Sequence, residues 1–577
     1  MRLSKYLIGT LACALVAGCA NEDTPAVDNG TQAQEGSSYM AVNLVMSTDA
    51  ASRAVTDGGF ENGSVDESAV DVTKSVFLFY DNNGNYLTSG NISTSDSDVE
   101  ENKYLKLTVQ GQDGENEIER NSNAVIVLGP TTTQPTQVLA VLNGSSSTLV
   151  GMSLTEAMTQ IASNGIGTAK GDFIMTNSTY IDGSNKIVTA TAISGKTKEV
   201  GEEGAAAAID AAKKDPVKIY VERIAAKLTV KSSVTNNEKD LSEGNVLNNK
   251  PANMKVVIDG WCANAINTSS YYIKNLDESW LTTAPFTDWK GTYRTFWAKD
   301  ANYKGSGTAD AETSSGDTYK GLTYYSWKEA STAVEKPIYL HENTIDNTYA
   351  KVEGGDNVNV TTALIKAHIE YENDEGKYVA SNIYKHNGIY YTEQGLKDVI
   401  VTSSKDYYWF YTKDGSKYRD PLKAENITFE FEHPETSTTP GDVTVDITKI
   451  TAPTIEGVTD IILVEGVTSE TKVEDATVIA ELKKSGYMNN LIGYKNGACY
   501  YQIPIEHLSS TSNNEFYGVV RNHSYVLTIS DITGIGGAVY DDGEKLPIIP
   551  GKEKNYYMAA QLYILAWQVV EQSAVLN

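Results

Sequence analysis

The feature that most constrains this chain is the recurrence of short apolar runs separated by turn residues. "SVFLFYDNNGNYL", residues 75–87, is two such runs joined across Asn and Gly, a hairpin signature. "NAVIVLG", "TQVLAVLNG", "VKIYVERIAAKLTVKSS" and "NMKVVIDGWCA" continue the pattern. The sequence holds 35 Tyr and only 14 Pro, and Tyr, Val and Thr suit pleated, half-buried surfaces. These observations predict a mainly β fold. Helical interruptions are few: "SLTEAMTQIAS", "GAAAAIDAAKKDP", "YTEQGLKDVIV" and "VEDATVIAELKKSG" have the starts or stops that short helices need. No internal repeat of solenoid period is present.

The chain has 577 residues, enough for two to four domains. Its net charge of −28 repels phosphate backbones and excludes nucleic acid as a partner. The amino terminus reads as a targeting segment. "MRLSK" is a basic stretch, and "YLIGTLACALVAG" is too short for a comfortable membrane span. It ends in Leu15-Val16-Ala17-Gly18-Cys19, which resembles a bacterial lipoprotein signal, with Cys19 as the residue to be acylated. "ANEDTPAVDNGTQAQEGSS" then reads as a flexible tether. Beyond it "YMAVNLVM" alternates like a strand, with Met40, Val42, Leu44 and Met46 on one face. Arg53 follows among small residues, the first basic residue after Lys5.

A domain boundary is expected between residues 262 and 280, where composition shifts to an aromatic, Gly- and Ser-rich stretch reaching Trp327. Loops that long carry binding roles or are mobile. Trp280, Trp289, Trp297 and Trp327 suit either sugar stacking or core and interface positions, and the latter is favoured. Cys262 and Cys499 are expected as two buried thiols, with a disulfide as the alternative.

Catalytic patterns are missing from the sequence. The six histidines, His341, His368, His386, His433, His507 and His523, form no His-Glu-x-x-His pair. There is no Gly-x-Ser-x-Gly elbow and no phosphate-binding loop. "DNNGNY" resembles a calcium loop, but Tyr86 stands where such a loop needs Gly, so a hairpin turn is expected. No enzyme activity, cofactor or metal site is expected.

The last eighty or so residues carry a family resemblance. Tyr500-Tyr501 with Ile503-Pro504-Ile505, then Tyr517 to His523, then Tyr525 to Gly536, resemble the carboxy-terminal region of Bacteroidetes fimbrillins, the type V pilins. They are most similar to the major structural subunit of short (minor) fimbriae. "VERIAAKLTV", Val221 to Val230, resembles the strand motif of that family's amino-terminal domain. Arg521, Asn522 and His523 stand at the start of an alternating strand, where their donors fix the incoming loop rather than catalyse.

The resemblance implies two β-sandwich-like (transthyretin-like) domains with few short helices. The expected boundaries are a lipoprotein signal 1–18, a propeptide 19–53, domains 54–270 and 271–567, and a donor tail 568–577. It also implies strand exchange. A lipidated precursor reaches the outer membrane, and an arginine-specific protease cuts between Arg53 and Ala54. The first strand leaves, and the tail of another copy, with Val570, Ala574 and Leu576 on one face, fills the groove by β-augmentation. The implied product is a cell-surface fimbrium serving adhesion and biofilm formation, with anchor and tip subunits as further partners. The alternatives are an accessory or tip adhesin of the same fimbriae, or a monomeric glycan-binding surface lipoprotein.

Overall fold

The computed structural model describes residues 38–46, 70–72, 74–92, 105–110, 119–144, 148–162, 166, 173–181, 184, 186–242, 245–251, 253–276, 278, 298–302, 313–314, 318–319, 321–344, 360–433, 443–509, 515–546, 558–565 and 570–574. The fold is mainly β, as the alternating runs predict.

The amino-terminal sheet contains β1 (Ser38–Met46), β2 (Ser75–Tyr80), β3 (Tyr86–Ile92), β4 (Glu119–Leu128), β5 (Gln137–Leu142), β6 (Met175–Asn177) and β7 (Val217–Arg223). Its pairings run β1-β7-β6-β5-β2-β3-β4 and return to β1, so the sheet closes on itself. Alternate residues point inward, because successive side chains of a strand face opposite ways. Met40, Val42, Leu44, Phe77, Phe79, Ile126 and Ile219 form the enclosed core, all wholly buried. The β2–β3 hairpin turns on Asp81, whose carboxylate accepts the backbone N–H groups of Asn83 at 2.8 Å and Asn85 at 2.9 Å. Gly84 supplies the positive φ of +79°. This is the expected hairpin turn: the carboxylate is engaged by its own loop.

Ile224 separates β7 from β8 (Ala225–Ser232), and there the chain changes sheets. β8 lies between β10 (Ile338–His341) and β13 (Ser524–Ile532). A facing sheet holds β9 (Met254–Asn264), β11 (Thr362–Glu372) and β12 (Ala498–Pro504) in that order. Leu228, Val230, Val256, Ile365, Tyr501 and Leu527 fill the space between the two sheets, a two-layer sandwich. The change of partners at Ile224 does not coincide with the boundary expected near residue 270. "VERIAAKLTV" reads as one strand because Ile224 and Ala225 continue its apolar run, and no Gly or Pro marks the switch. The later segment 270–273 touches the amino-terminal body again: Ser270 and Tyr271 pair with Ala162 and Ile161.

All four expected helices form: α1 (Leu154–Ala157), α2 (Gly204–Lys213), α3 (Glu393–Thr402) and α4 (Asp475–Leu482). α1 opens with a capping box between Ser153 and Glu156. α3 and α4 belong to an insertion between β11 and β12. It has its own core of Tyr384, Leu396, Ile400, Trp409, Leu463 and Leu482, among others. The sequence reading did not separate this unit. Among the described residues no helix is long and apolar enough to cross a membrane.

β14 (Met558–Leu565) pairs with β13, and β15 (Val570–Ala574) pairs antiparallel with β14, from Ala560↔Ala574 to Ile564↔Val570. The segment expected as a separate extended tail therefore contributes the edge strand of the second body's sheet. Cys262 and Cys499 are both free. They lie on β9 and β12 with β11 between them, in register with Leu364 and Ala367. An intervening strand sets the backbones about 9–10 Å apart, too far for a disulfide. Burial pushes the Cys262 thiol up to about 12 and the Cys499 thiol higher still, so both are inert.

Candidate functional site

β1 is the stave that closes the amino-terminal sheet. It runs antiparallel to β4 from Ser38↔Leu128 to Met46↔Arg120. On its other edge it pairs antiparallel with the short strand Lys198–Glu199 at Ser38 and Tyr39, then parallel with β7 from Val42↔Val217 to Val45↔Tyr220. Met40, Val42 and Leu44 face the enclosed core with 0 % exposure. Tyr39 and Ala41 face outward but are also buried, in a cluster with Val125 of β4 and Ala208 and Ala212 of α2. Asn43, farther along the outward row, donates from Nδ2 to Asn123 Oδ1 at 2.7 Å. The strand is thus held on both edges, from within and from above.

Of the residues singled out from sequence, Met40, Val42 and Leu44 stand together in this slot, and Met46 ends the pairing. Val570 and Ala574 lie on β15, in register with Ile564 and Ala560. Cys19, Arg53, Ala54, Leu576, Trp280, Trp289 and Trp297 lie outside the described residues. Trp327 is tied to the sheet: its Nε1 donates to the Cys499 carbonyl at 2.8 Å, and Lys366 Nζ lies 4.0 Å from the ring centroid. The cover over β1 was missed because "GAAAAIDAAKKDP" shows a helix but not what it covers. Its closely spaced small residues were the only available signal.

A second cluster joins the two bodies. Arg521 donates from Nε to Glu342 Oε2 at 2.9 Å and from Nη2 to the Tyr271 carbonyl at 2.8 Å. Lys274 Nζ lies 2.7 Å from Glu222 Oε2, with both side chains fully buried. Burial pushes the Glu222 carboxyl up and the Lys274 ammonium down, each partner opposing the shift. Asn522 Oδ1 accepts the N–H of Arg223 at 3.2 Å. His523 Nδ1 bonds the Arg521 carbonyl at 2.8 Å, and His507 Nδ1 lies 2.7 Å from the Tyr525 hydroxyl. The Arg521-Asn522-His523 trio accordingly fixes the loop before β13, as the sequence suggested, and it also reaches β7 of the first body. Among the described residues no group of His, Cys, Asp and Glu could hold a metal ion.

Residues 493–573 match the family model described as "Major fimbrial subunit protein type IV, Fimbrillin, C-terminal". This chain carries a fimbrillin carboxy-terminal region. The motifs Tyr500 to Ile505, Tyr517 to His523 and Tyr525 to Gly536 all fall inside it, so the fimbrillin resemblance holds. The fimbrillin region supplies β12 to β15 and the Arg521 end of the junction. Among solved structures, the chain is similar to a fimbrilin from Porphyromonas gingivalis W83 at 12% identity and a TM-score of 0.34, covering 92% of this chain and 99% of that one. It is similar to a putative cell adhesion protein from Parabacteroides distasonis at 11% identity and a TM-score of 0.31, covering 92% and 100%. The tip fimbrial protein Mfa3 from Porphyromonas gingivalis aligns at 10% identity and a TM-score of 0.28, covering 91% and 100%. No curated protein matches the chain. The family match over residues 493–573, and not these superpositions, carries the assignment.

Proposed function

We propose that this chain is a structural subunit of a fimbria that polymerises by strand exchange. The precursor is lipidated at Cys19, reaches the outer membrane, and is cut between Arg53 and Ala54 by an arginine-specific protease. β1 then leaves, and residues 568–577 of another copy take its place. The subunit divides functionally at Ile224 into an accepting body and a donating body. The supporting observation is the position of β1, which closes the first sheet yet precedes Arg53 in the chain. Burial of Met40, Val42 and Leu44 contributes roughly 5–9 kcal/mol at about 1.5–3 kcal/mol per side chain. A body deprived of β1 loses a large part of a domain's usual stability, so it gains strongly from a replacement strand.

The test is amino-terminal sequencing of fimbriae sheared from the cell surface. The reading requires Ala54 at the mature terminus, and Arg53→Ala should leave a folded, lipidated, unpolymerised precursor. Acylated Cys19 in assembled fibres would sink it.

A further inference from the structure

The slot around β1 does more than offer two edges. Lys198–Glu199 pairs with one end of β1, α2 crosses its outward face, and β7 pairs with the rest of the same edge. Only Lys214, Asp215 and Pro216 separate α2 from β7. Segment 198–223 therefore straddles the strand, with β4 opposite. The helix lies close because its buried residues are Ala208 and Ala212, and the strand beneath it presents Ala41.

We propose that this sleeve selects the incoming strand by the size of its outward side chains, and that it seats the tail of a second copy with Ser573 in the place of Ala41. The proposal rests on the strand-exchange reading. The tail alternates Val570, Gln572, Ala574 and Leu576 with Glu571, Ser573 and Val575. Only the first row can face the core, because the second would bury the Glu571 charge without a partner. With Ser573 at Ala41, Ala574 takes the place of Val42 and Leu576 that of Leu44. Gln572 falls at Met40, and Glu571 falls at Tyr39, the position in register with Lys198. Charge complementarity at the end of the slot thus agrees with the small residue under the helix. Shifting the tail by two residues one way puts Glu571 in the place of Ala41, where it no longer stands in register with Lys198. Shifting it the other way puts the larger Val575 in the place of Ala41 beneath α2 and carries Glu571 past the position in register with Lys198.

The test uses full-length precursor treated with arginine-specific protease, with ladder formation on gels as the readout. Ser573→Phe should slow laddering about tenfold or more, because added volume has no room beneath α2. Val575→Lys should ladder normally, since it falls at the half-exposed Asn43. Adding Ala208→Gly to Ser573→Phe should restore part of the rate. If Ser573→Phe ladders at the wild-type rate while deletion of Val569–Asn577 abolishes laddering, the sleeve is overturned and strand exchange stands. If Val575→Lys is blocked and Ser573→Phe is not, the seating is wrong. If the deletion also ladders, strand exchange itself falls, and the sleeve with it.

Discussion

Arg521 and Glu342 form an ion pair with both side chains wholly excluded from water, Nε to Oε2 at 2.9 Å. The guanidinium also donates to the carbonyls of Tyr271 and Tyr272, in the segment that returns to the first body. Removing one partner of such a pair leaves an uncompensated buried charge, at a cost of about 3–5 kcal/mol. Arg521→Met should lower the unfolding free energy by that amount in urea titrations. Arg521→Met with Glu342→Leu should regain much of the loss, because the paired desolvation disappears. A double variant no more stable than the single one would contradict this account.

Leu44→Ala tests the proposed fate of β1. In the precursor the substitution removes a fully buried side chain from the closed sheet, so stability should fall by about 2–5 kcal/mol. In cleaved, assembled material the strand is gone, so the variant's fibres should resist heat and denaturant as wild-type fibres do. Fibres weakened to the same degree as the precursor would mean that β1 stays in place.

The tail is an edge strand in this fold, bonded on one side to β14. Deleting Val569–Asn577 should therefore leave the precursor folded and soluble while abolishing its polymerisation. Val570→Asp and Leu576→Asp should slow polymerisation by placing a charge in an apolar slot, and Glu571→Gln, which removes only the attraction to Lys198, should slow it far less. Size-exclusion chromatography after arginine-specific cleavage reads each case. Aggregation of the uncleaved deletion would show that β15 is indispensable to its own sheet.

Acid should weaken the second body through its buried histidines. Burial holds His523 at about 4, and burial with the nearby Arg521 charge holds His341 at about 4, against an ordinary 6.5. Between pH 6.5 and 4 the unfolded chain binds these protons and the folded chain does not. Stability then falls with pH by about 1.4 kcal/mol per unit for each group. Asp300 acts in the opposite sense: burial raises its carboxyl to about 7, so between pH 3.8 and 7 the folded state holds the extra proton. His523→Gln should flatten the loss of melting temperature on acidification, and Asp300→Asn should steepen it. An Asp300→Asn profile flatter than wild type would reverse the assigned sign.

Much of this architecture is visible in local pattern. The Asp81 turn, the Ser153 capping box and the alternation of Met40, Val42 and Leu44 depend on residues a few positions apart, and each appears where the sequence indicates it. The change of sheet at Ile224 was not visible. Its cause is pairing with β13, some three hundred residues later, and nothing in "VERIAAKLTV" encodes which strand comes to lie beside it. The core of the 373–497 insertion was missed for the same reason. Its short strands look like any others until Trp409, Leu463 and Leu482 meet in one cluster.

By itself, the sequence determined that β1 would be a strand with one apolar face, that α2 would be a helix, and that the carboxy-terminal motifs are those of fimbrillins. Side-chain alternation, helix propensity and turn chemistry act over a few residues, so the chain displays them directly. Tertiary structure decided that β1 closes a ring between β4 and β7, that α2 lies across it, that β15 is an edge strand, and that Arg521 meets Glu342. Each of these joins residues far apart in the chain. Such a contact exists only when burying both partners together outweighs the entropy of bringing them there, a balance set by the whole fold and by no single segment.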